Sequence, residues 1–344
     1  MSTISRRTVP AIAAVGAMAM LLTGCLAGES GNADAAGGSG EGTEWSTDTL
    51  TIDWATYNPL SIVIRDQGIL EDKLEGVDVE WVQSAGSNKA NELLRSGSAD
   101  VASTAGSAAL LARANGSPIK VIDVYSQPEW SAIVVRPDSE IQSLADLEGK
   151  TIAATLGTDP YFFLLQALEE GGLTLGDVTV QNLQHADGRA ALDGGSVDAW
   201  AGLDPIMAAA EVESGDELVF RNVDFNTYGF LNATEDFIEN HPDVAQAVVD
   251  AYEEARAWAL EHPEETSELL AEAAQIDIEV ATTVIQERSN LDVSGVPGDD
   301  QLAVLERIAP VLVDSGDVSG GQQAVDDALD TIIHDEFAKQ ATAG

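Results

Sequence analysis

A single cysteine, Cys25, stands in a chain of 344 residues, so no intrachain disulfide supports the fold and stability must come from packing and hydrogen bonds. Basic residues are scarce too: 16 Lys and Arg against 59 Asp and Glu give a net charge of −43. Nucleic-acid binding depends on Lys and Arg neutralising phosphates, so this balance excludes a DNA or RNA function. The acidic residues run through the whole chain rather than gathering in a tail, which leaves two readings, an acidic functional surface or adaptation to high salt. The second is favoured, because at about 1 M salt the Debye length falls to about 3 Å and exposed like charges stop repelling one another. Catalytic signatures are missing as well. The chain has no G-x-S-x-G elbow, H-E-x-x-H, phosphate-loop G-x-x-x-x-G-K-[ST] or C-x-x-C. His185, His241, His262 and His334 are isolated, and His241-Pro242 and His262-Pro263 read as helix boundaries. Nothing in these patterns argues for an enzyme, a metal or a cofactor.

What is present begins with the setting of Cys25. Arg6 and Arg7 precede an apolar run from Val9 to Leu22, and small residues follow. That is the order of a secretory signal, and the run is short of the roughly 20 residues of a transmembrane helix. Leu22-Thr23-Gly24-Cys25 is similar to a lipobox, which makes 1–24 a signal peptide and Cys25 the lipidated first residue of the mature protein. Arg6-Arg7 leaves both the general and the twin-arginine export routes open. Residues 25–45, rich in Gly, Ala, Ser, Asp and Glu, read as a flexible tether. The remaining chain is long enough for two lobes of about 100–200 residues each.

Short β-branched runs then alternate with helical patterns, which predicts α/β units with largely parallel sheets. Strands are expected at 50–54, 77–83, 101–103, 121–125, 132–136, 151–154, 178–182, 199–201, 218–220 and 228–231. Helices are expected at 62–74, 89–96, 107–115, 161–170, 186–193 and 205–213. The last third reads as amphipathic, acidic helices at 242–262, 263–275, 278–289 and 299–315, which return to pack on the first lobe.

In open α/β sheets, ligands sit beyond the carboxyl ends of strands, where helix N-termini offer free N–H groups. Three such junctions combine glycine with hydroxyls: 84–88, 103–107 and 156–159. A fourth, Asp204-Pro205, is explained by helix capping alone. Two or three converging loops, with hydrogen bonds of about 1.5–3 kcal/mol each to a charged acceptor, approach the roughly 8 kcal/mol of micromolar binding without an arginine. Among the few aromatics, Trp54, Tyr57, Trp130, Tyr161, Phe162 and Trp200 lie at or beside strand ends. Tyr57, Trp130, Tyr161 and Trp200 are candidates for the apolar wall such pockets have.

Three stretches resemble a known family. Gly97 to Ser107, with Asp100 and Thr104-Ala105-Gly106, resembles a turn that ends a first-lobe strand in solute-binding proteins of ABC importers for aliphatic sulfonates, nitrate and taurine. Ala145-Asp146-Leu147-Glu148-Gly149-Lys150-Thr151-Ile152-Ala153 resembles their approach to the second lobe, with Glu148 and Thr151 where lysines are usual. Gly194-Gly195-Ser196-Val197-Asp198-Ala199-Trp200-Ala201-Gly202-Leu203-Asp204-Pro205 resembles the G-x-V-D-A-W-x-x-W-D-P signature, with Leu203 replacing the second tryptophan. The resemblance implies a two-lobed, type II periplasmic-binding-protein-like fold with two hinge crossovers. Lobe 1 is 46–128 with 226–344, lobe 2 is 129–225, and the crossings fall near 127–131 and 222–228. Carried over by position, the pocket uses Tyr57, Asn58, Ser84, Gly86, Ser87, Thr104, Gly106, Gly157, Thr158, Trp200 and Asp204. The implied protein is a lipid-anchored monomer on the outer face of the cytoplasmic membrane. It hands a small oxyanion such as an alkanesulfonate to an ABC permease and its ATPase. Nitrate, bicarbonate or a thiamine-pyrimidine precursor are alternative ligands. A pyrimidine-precursor synthase of the same fold relies on a cysteine-rich motif that this chain lacks, and a sensor module is the remaining alternative.

Overall fold

The computed structural model describes residues 44–342; Cys25 and the segments expected to be a signal peptide and, as far as Thr43, a tether lie outside them. Ten strands form two five-stranded sheets. The first holds β1 (Thr49–Trp54), β2 (Asp78–Gln83), β3 (Val101–Ala105), β4 (Ile119–Ser126) and, arriving much later in the chain, β10 (Gly229–Thr234), in the order β2-β1-β3-β10-β4. The second holds β5 (Ser131–Val135), β6 (Thr151–Ala154), β7 (Thr179–Asn182), β8 (Ala199–Leu203) and β9 (Glu217–Phe220), in the order β7-β6-β8-β5-β9.

Every expected strand is found within a few residues of its place. The expectation of largely parallel sheets needs correction: both sheets are mixed. β1 pairs in parallel with β2 and β3, and β6 with β7 and β8. β10 is antiparallel to both of its neighbours, as is β5. The reason is topological. β5 and β10 are the strands on which the chain arrives from the other sheet, and an arriving strand is not bound by the helical crossover that makes neighbours parallel.

The helices are α1 (Pro59–Gln67), α2 (Ile69–Lys73), α3 (Ser87–Ser96), α4 (Gly106–Ala114), α5 (Asp159–Glu170), α6 (His185–Asp193), α7 (Ile206–Ser214), α8 (Glu235–Asn240), α9 (Pro242–Glu261), α10 (Pro263–Ala274), α11 (Ile278–Thr283), α12 (Asp299–Asp314), α13 (Gly321–Leu329) and α14 (Glu336–Ala341). The single helix expected over 62–74 is two. It starts earlier, capped by the Asn58 side chain on the Ser61 N–H with Pro59 in the first turn. It stops at Gly68, whose left-handed φ of 67° suits the glycine that ends α1. The segment expected as one helix over 278–289 is α11 followed by a π-helical turn, Val284–Arg288. The C-terminal helices are not confined to the first sheet: α9 and α14 pack beside β4, whereas α11 touches α7 and α12 touches α5.

The core follows the strands. Leu50, Ile52, Val101 and Leu231 of the first sheet are fully buried with Val248, Val249 and Tyr252 of α9. Ile133, Ile152 and Ala199 of the second pack with Phe162, Phe163 and Leu164 of α5. The chain passes between sheets twice, after Ser126 and after Phe220. The two connections are fastened to each other by a two-pronged ion pair of Arg221 with Glu129, at 3.1 and 2.7 Å. The Ser131 N–H also donates to Asn226 Oδ1 at 3.0 Å. Among the described residues no helix is long and apolar enough to cross a membrane.

Candidate functional site

The parallel strands of both sheets send their carboxyl ends to a common seam, where α3, α4, α5 and α6 begin. The seam is shut, and three groups of contacts cross it.

At its back lies Asp159, the first residue of α5, 1 % exposed. Its Oδ1 accepts from Ser107 Oγ at 2.6 Å and Thr227 Oγ1 at 2.7 Å. Its Oδ2 accepts from Trp130 Nε1 at 2.8 Å and the Thr227 N–H at 2.9 Å. Ser107 belongs to the first turn of α4, while Trp130 and Thr227 sit on the two connections. One carboxylate therefore ties the beginnings of two helices and both crossings together. Burial raises its pKa, against the pull of its four donors.

On one flank Arg288, at the end of the π-helical turn, crosses to Asp204 beyond β8. Its Nη1 is 3.3 Å from each Asp204 oxygen, and its Nη2 donates to Glu211 Oε2 at 2.7 Å. Tyr57, Ser126, Pro128, Trp130, Asp204, Val284, Arg288 and Ser289 enclose a cavity of about 10 Å³, the room one water needs. Tyr57 and Trp130 meet edge to face, 6.2 Å between centroids. Asp204 also accepts from the Ala208 N–H at 2.9 Å, and burial pushes its pKa up to about 6 against the pull of Arg288.

On the other flank His185, the first residue of α6, faces the glycine loop before α3. A Cβ on Gly86 would lie 3.0 Å from His185 Nε2 and 3.0 Å from Asn88 Oδ1, and the φ of +154° at Gly86 belongs to glycine. Thr155 Oγ1 gives its proton to the Leu183 carbonyl at 2.7 Å, so its 3.2 Å contact with His185 Nδ1 is a bond donated by the imidazole. That tautomer leaves Nε2 a bare acceptor with no partner. Burial lowers the His185 pKa to about 4, which keeps the ring neutral. Asn88 Oδ1 and Gln184 Oε1 are unpartnered at the same place. Ser84 sits beside Asp53, whose pKa burial pushes up to about 7.

The residues expected from the sequence divide accordingly. Tyr57, Trp130 and Asp204 come together around the Arg288 cavity, Gly86 lies by His185, and Ser84 lies beside Asp53. Others spend their polar groups within the fold. Asn58 donates to Tyr252 Oη at 3.0 Å, and Ser87 Oγ accepts from the Ala105 N–H at 2.9 Å. Thr104 accepts from Asn232 at 2.9 Å, the Gly106 N–H donates to the Tyr228 carbonyl at 2.9 Å, and Thr158 donates to the Thr155 carbonyl at 2.7 Å. Gly157 is half-buried, with Leu111 Cδ2 3.7 Å from where a Cβ would be. Tyr161 and Trp200 lie elsewhere: Tyr161 in the core with Phe162, Trp200 fully buried against Gly188 of α6. Cys25 lies outside the described residues.

Arg288 and His185 were not expected, and Asp159 was expected only as the end of the 156–159 loop. For Arg288 a signal exists: Val280, Ala281, Val284, Ile285 and Arg288 share one helical stripe, so this arginine continues an apolar face in an acidic helix. Asp159 before Pro160 reads as an ordinary helix start, and nothing local distinguishes His185.

Comparison with known proteins fits this architecture. A protein of Escherichia coli (strain K12) assigned as aliphatic sulfonates-binding is 28% identical over 266 residues, covering 77% of this chain and 83% of its own. The alkanesulfonate-binding protein SsuA from Xanthomonas axonopodis pv. citri, solved bound to MOPS, superposes with a TM-score of 0.71 at 22% identity, over 86% of this chain and 98% of that one. The desulfurization enzyme DSZB shares the fold at a TM-score of 0.65 and 18% identity, over 86% of this chain and 99% of that one. The fold is that of the periplasmic binding proteins. The family model described as NMT1/THI5 like matches residues 73–266, more than half of the chain, and the protein belongs to that family.

Proposed function

We propose that this protein is the extracytoplasmic, lipid-anchored substrate-binding protein of an ABC importer. It closes two lobes, 46–128 with 226–344 and 129–225, on a small organic oxyanion of the aliphatic sulfonate type. The observation that carries this reading is the seam itself. Strand ends and helix N-termini of both sheets converge there on a cavity walled by Tyr57 and Trp130. Relatives that bind aliphatic sulfonates support the ligand class. The lipobox-like Leu22-Thr23-Gly24-Cys25 supports the anchor, and the tether after it keeps the domain beside a permease. An enzyme reading that needs a thiolate finds no cysteine beyond Cys25. A second ligand reading rests on the ring pair at the cavity: Tyr57 and Trp130, parted by opening of the seam, would sandwich a flat pyrimidine.

A thermal-shift screen in high salt with ethanesulfonate, taurine, nitrate, bicarbonate and an aminopyrimidine tests the proposal. A ligand at 100 times its Kd adds about 2.7 kcal/mol of stability. Stabilisation by sulfonates is expected; stabilisation by the pyrimidine alone would replace the sulfonate reading with the second one.

A further inference from the structure

We propose that Arg288 is the cation that receives the anionic head group of the ligand, and that Asp204 occupies that place as an internal counter-ion while the cleft is empty. This rests on the oxyanion-binding reading above.

Three observations carry it. First, Arg288 is 6 % exposed and lines the cavity shared by Tyr57, Trp130 and Asp204, where it is the one cation. Second, its hydrogen bonding is incomplete. Nη2 is well paired with Glu211, but both Nη1 contacts to Asp204 are 3.3 Å, longer than the roughly 2.7–2.9 Å of a charge-assisted bond. Nε has no partner, and neither does Ser126 Oγ on the same cavity wall. The other buried arginine is a useful contrast. Arg256 donates to the carbonyls of Tyr125, Leu291 and Val124 and to Glu253, so each of its three nitrogens is engaged, as suits a purely structural role. Third, Arg288 ends a π-helical turn, and such turns recur at functional sites because they offset a side chain from the regular helical path.

A guanidinium offers a planar fork of N–H groups that matches an oxyanion. Once the seam opens, a three-oxygen head group accepts from Nη1 of Arg288 and from the hydroxyl of Ser126. It takes over the edge that Asp204 holds loosely, while Glu211 keeps Nη2 and so keeps the fork aimed. Asp204 then falls back on the Ala208 N–H. The loose Arg288–Asp204 contact thus stands in for the ligand while the cleft is empty, and on binding Arg288 exchanges one anion for another.

The test is calorimetric titration of the purified mature chain with ethanesulfonate and, separately, with nitrate. Arg288→Gln is expected to weaken ethanesulfonate at least tenfold, and Asp204→Asn to tighten it several-fold by removing the competitor. Because Arg288→Gln leaves Asp204 buried without its cation, the double variant Arg288→Gln/Asp204→Asn is measured too, with its melting curve as a check on folding. Continued loss of binding in a double variant that melts like the parent supports the proposal. Unchanged affinity in either arginine variant, or weaker binding by Asp204→Asn, overturns it. The two readings fail separately. If the parent binds nitrate through Arg288 and no sulfonate, the ligand class is wrong and Arg288 stands. If it binds ethanesulfonate with or without Arg288, the ligand class stands and Arg288 does not. If it binds neither anion, both fall.

Discussion

Replacing Asp159 tests whether one buried carboxylate fastens the seam. Its four donors differ in kind: Trp130 Nε1–H and the Thr227 N–H are fixed in direction, while the Ser107 and Thr227 hydroxyls rotate. In Asp159→Ala both fixed donors are left buried and unpaired, at about 1–3 kcal/mol each, while the hydroxyls turn to other acceptors. Loss of a negative charge at the start of α5 adds roughly 0.3–1 kcal/mol. Relief from burying a carboxylate returns part of this, so the net cost is about 2–5 kcal/mol. Asp159→Asn is different. Its amide oxygen can face the two fixed donors and its NH₂ the two hydroxyl oxygens, so the expected cost is about 1 kcal/mol. At roughly 2 °C per kcal/mol for a chain of this size, Asp159→Ala should melt at least 4 °C lower and Asp159→Asn about 2 °C lower. Circular dichroism melts at pH 7.5 measure both, and hydrogen exchange across 127–130 and 226–228 should accelerate most in the alanine variant. An alanine variant that melts within 1 °C of the parent, or an asparagine variant as damaged as the alanine one, would refute the reasoning.

Other expectations follow from equally local features. Asp53 has a folded pKa of about 7 against 3.8, so the stability its protonated form contributes is complete below about pH 4 and is lost as pH rises to 7. Asp53→Asn, which stays neutral, should therefore gain on the parent across that window by on the order of 4 kcal/mol. Urea unfolding at pH 4, 5.5, 7 and 8 reads this, and a constant difference would count against it. A Cβ at Gly188 would meet the Trp200 indole at 2.8 Å, so Gly188→Ala should destabilise by about 1–3 kcal/mol and alter the near-ultraviolet tryptophan signal despite alanine's better helix propensity. The excess of 59 acidic over 16 basic residues predicts a rising melting temperature from 0.1 to 3 M salt, and no rise would remove the high-salt reading.

The strands were legible in the sequence because each is a short apolar or β-branched run bounded by turn residues, and burial follows that pattern directly. What could not be read was pairing direction. Gly229–Thr234 has the same apolar composition whether it runs parallel or antiparallel, and only the crossing that delivers it decides. The same limit applies at the seam. Tyr57, Trp130 and Asp204 stood out as aromatic or capping residues at strand ends, and they do meet around one cavity. Arg288 lies 84 residues from Asp204 and His185 lies 99 from Gly86, so neither contact has a local trace. Tyr161 and Trp200 read the same way in the sequence, yet Tyr161 falls in the first turn of α5 and Trp200 within the fully buried β8, so both side chains are spent in the core.

The position of β10 has a consequence for the order in which the protein assembles. It fills the gap between β3 and β4, yet it follows them by about a hundred residues, with the whole second sheet in between. As the chain emerges from its N-terminus, β3 and β4 present unpaired edges until residues 229–234 arrive, whereas the second sheet is complete in one continuous stretch, 131–220. The second sheet is therefore able to form on its own first, and the edges of the first stay exposed to mispairing until the return strand closes them.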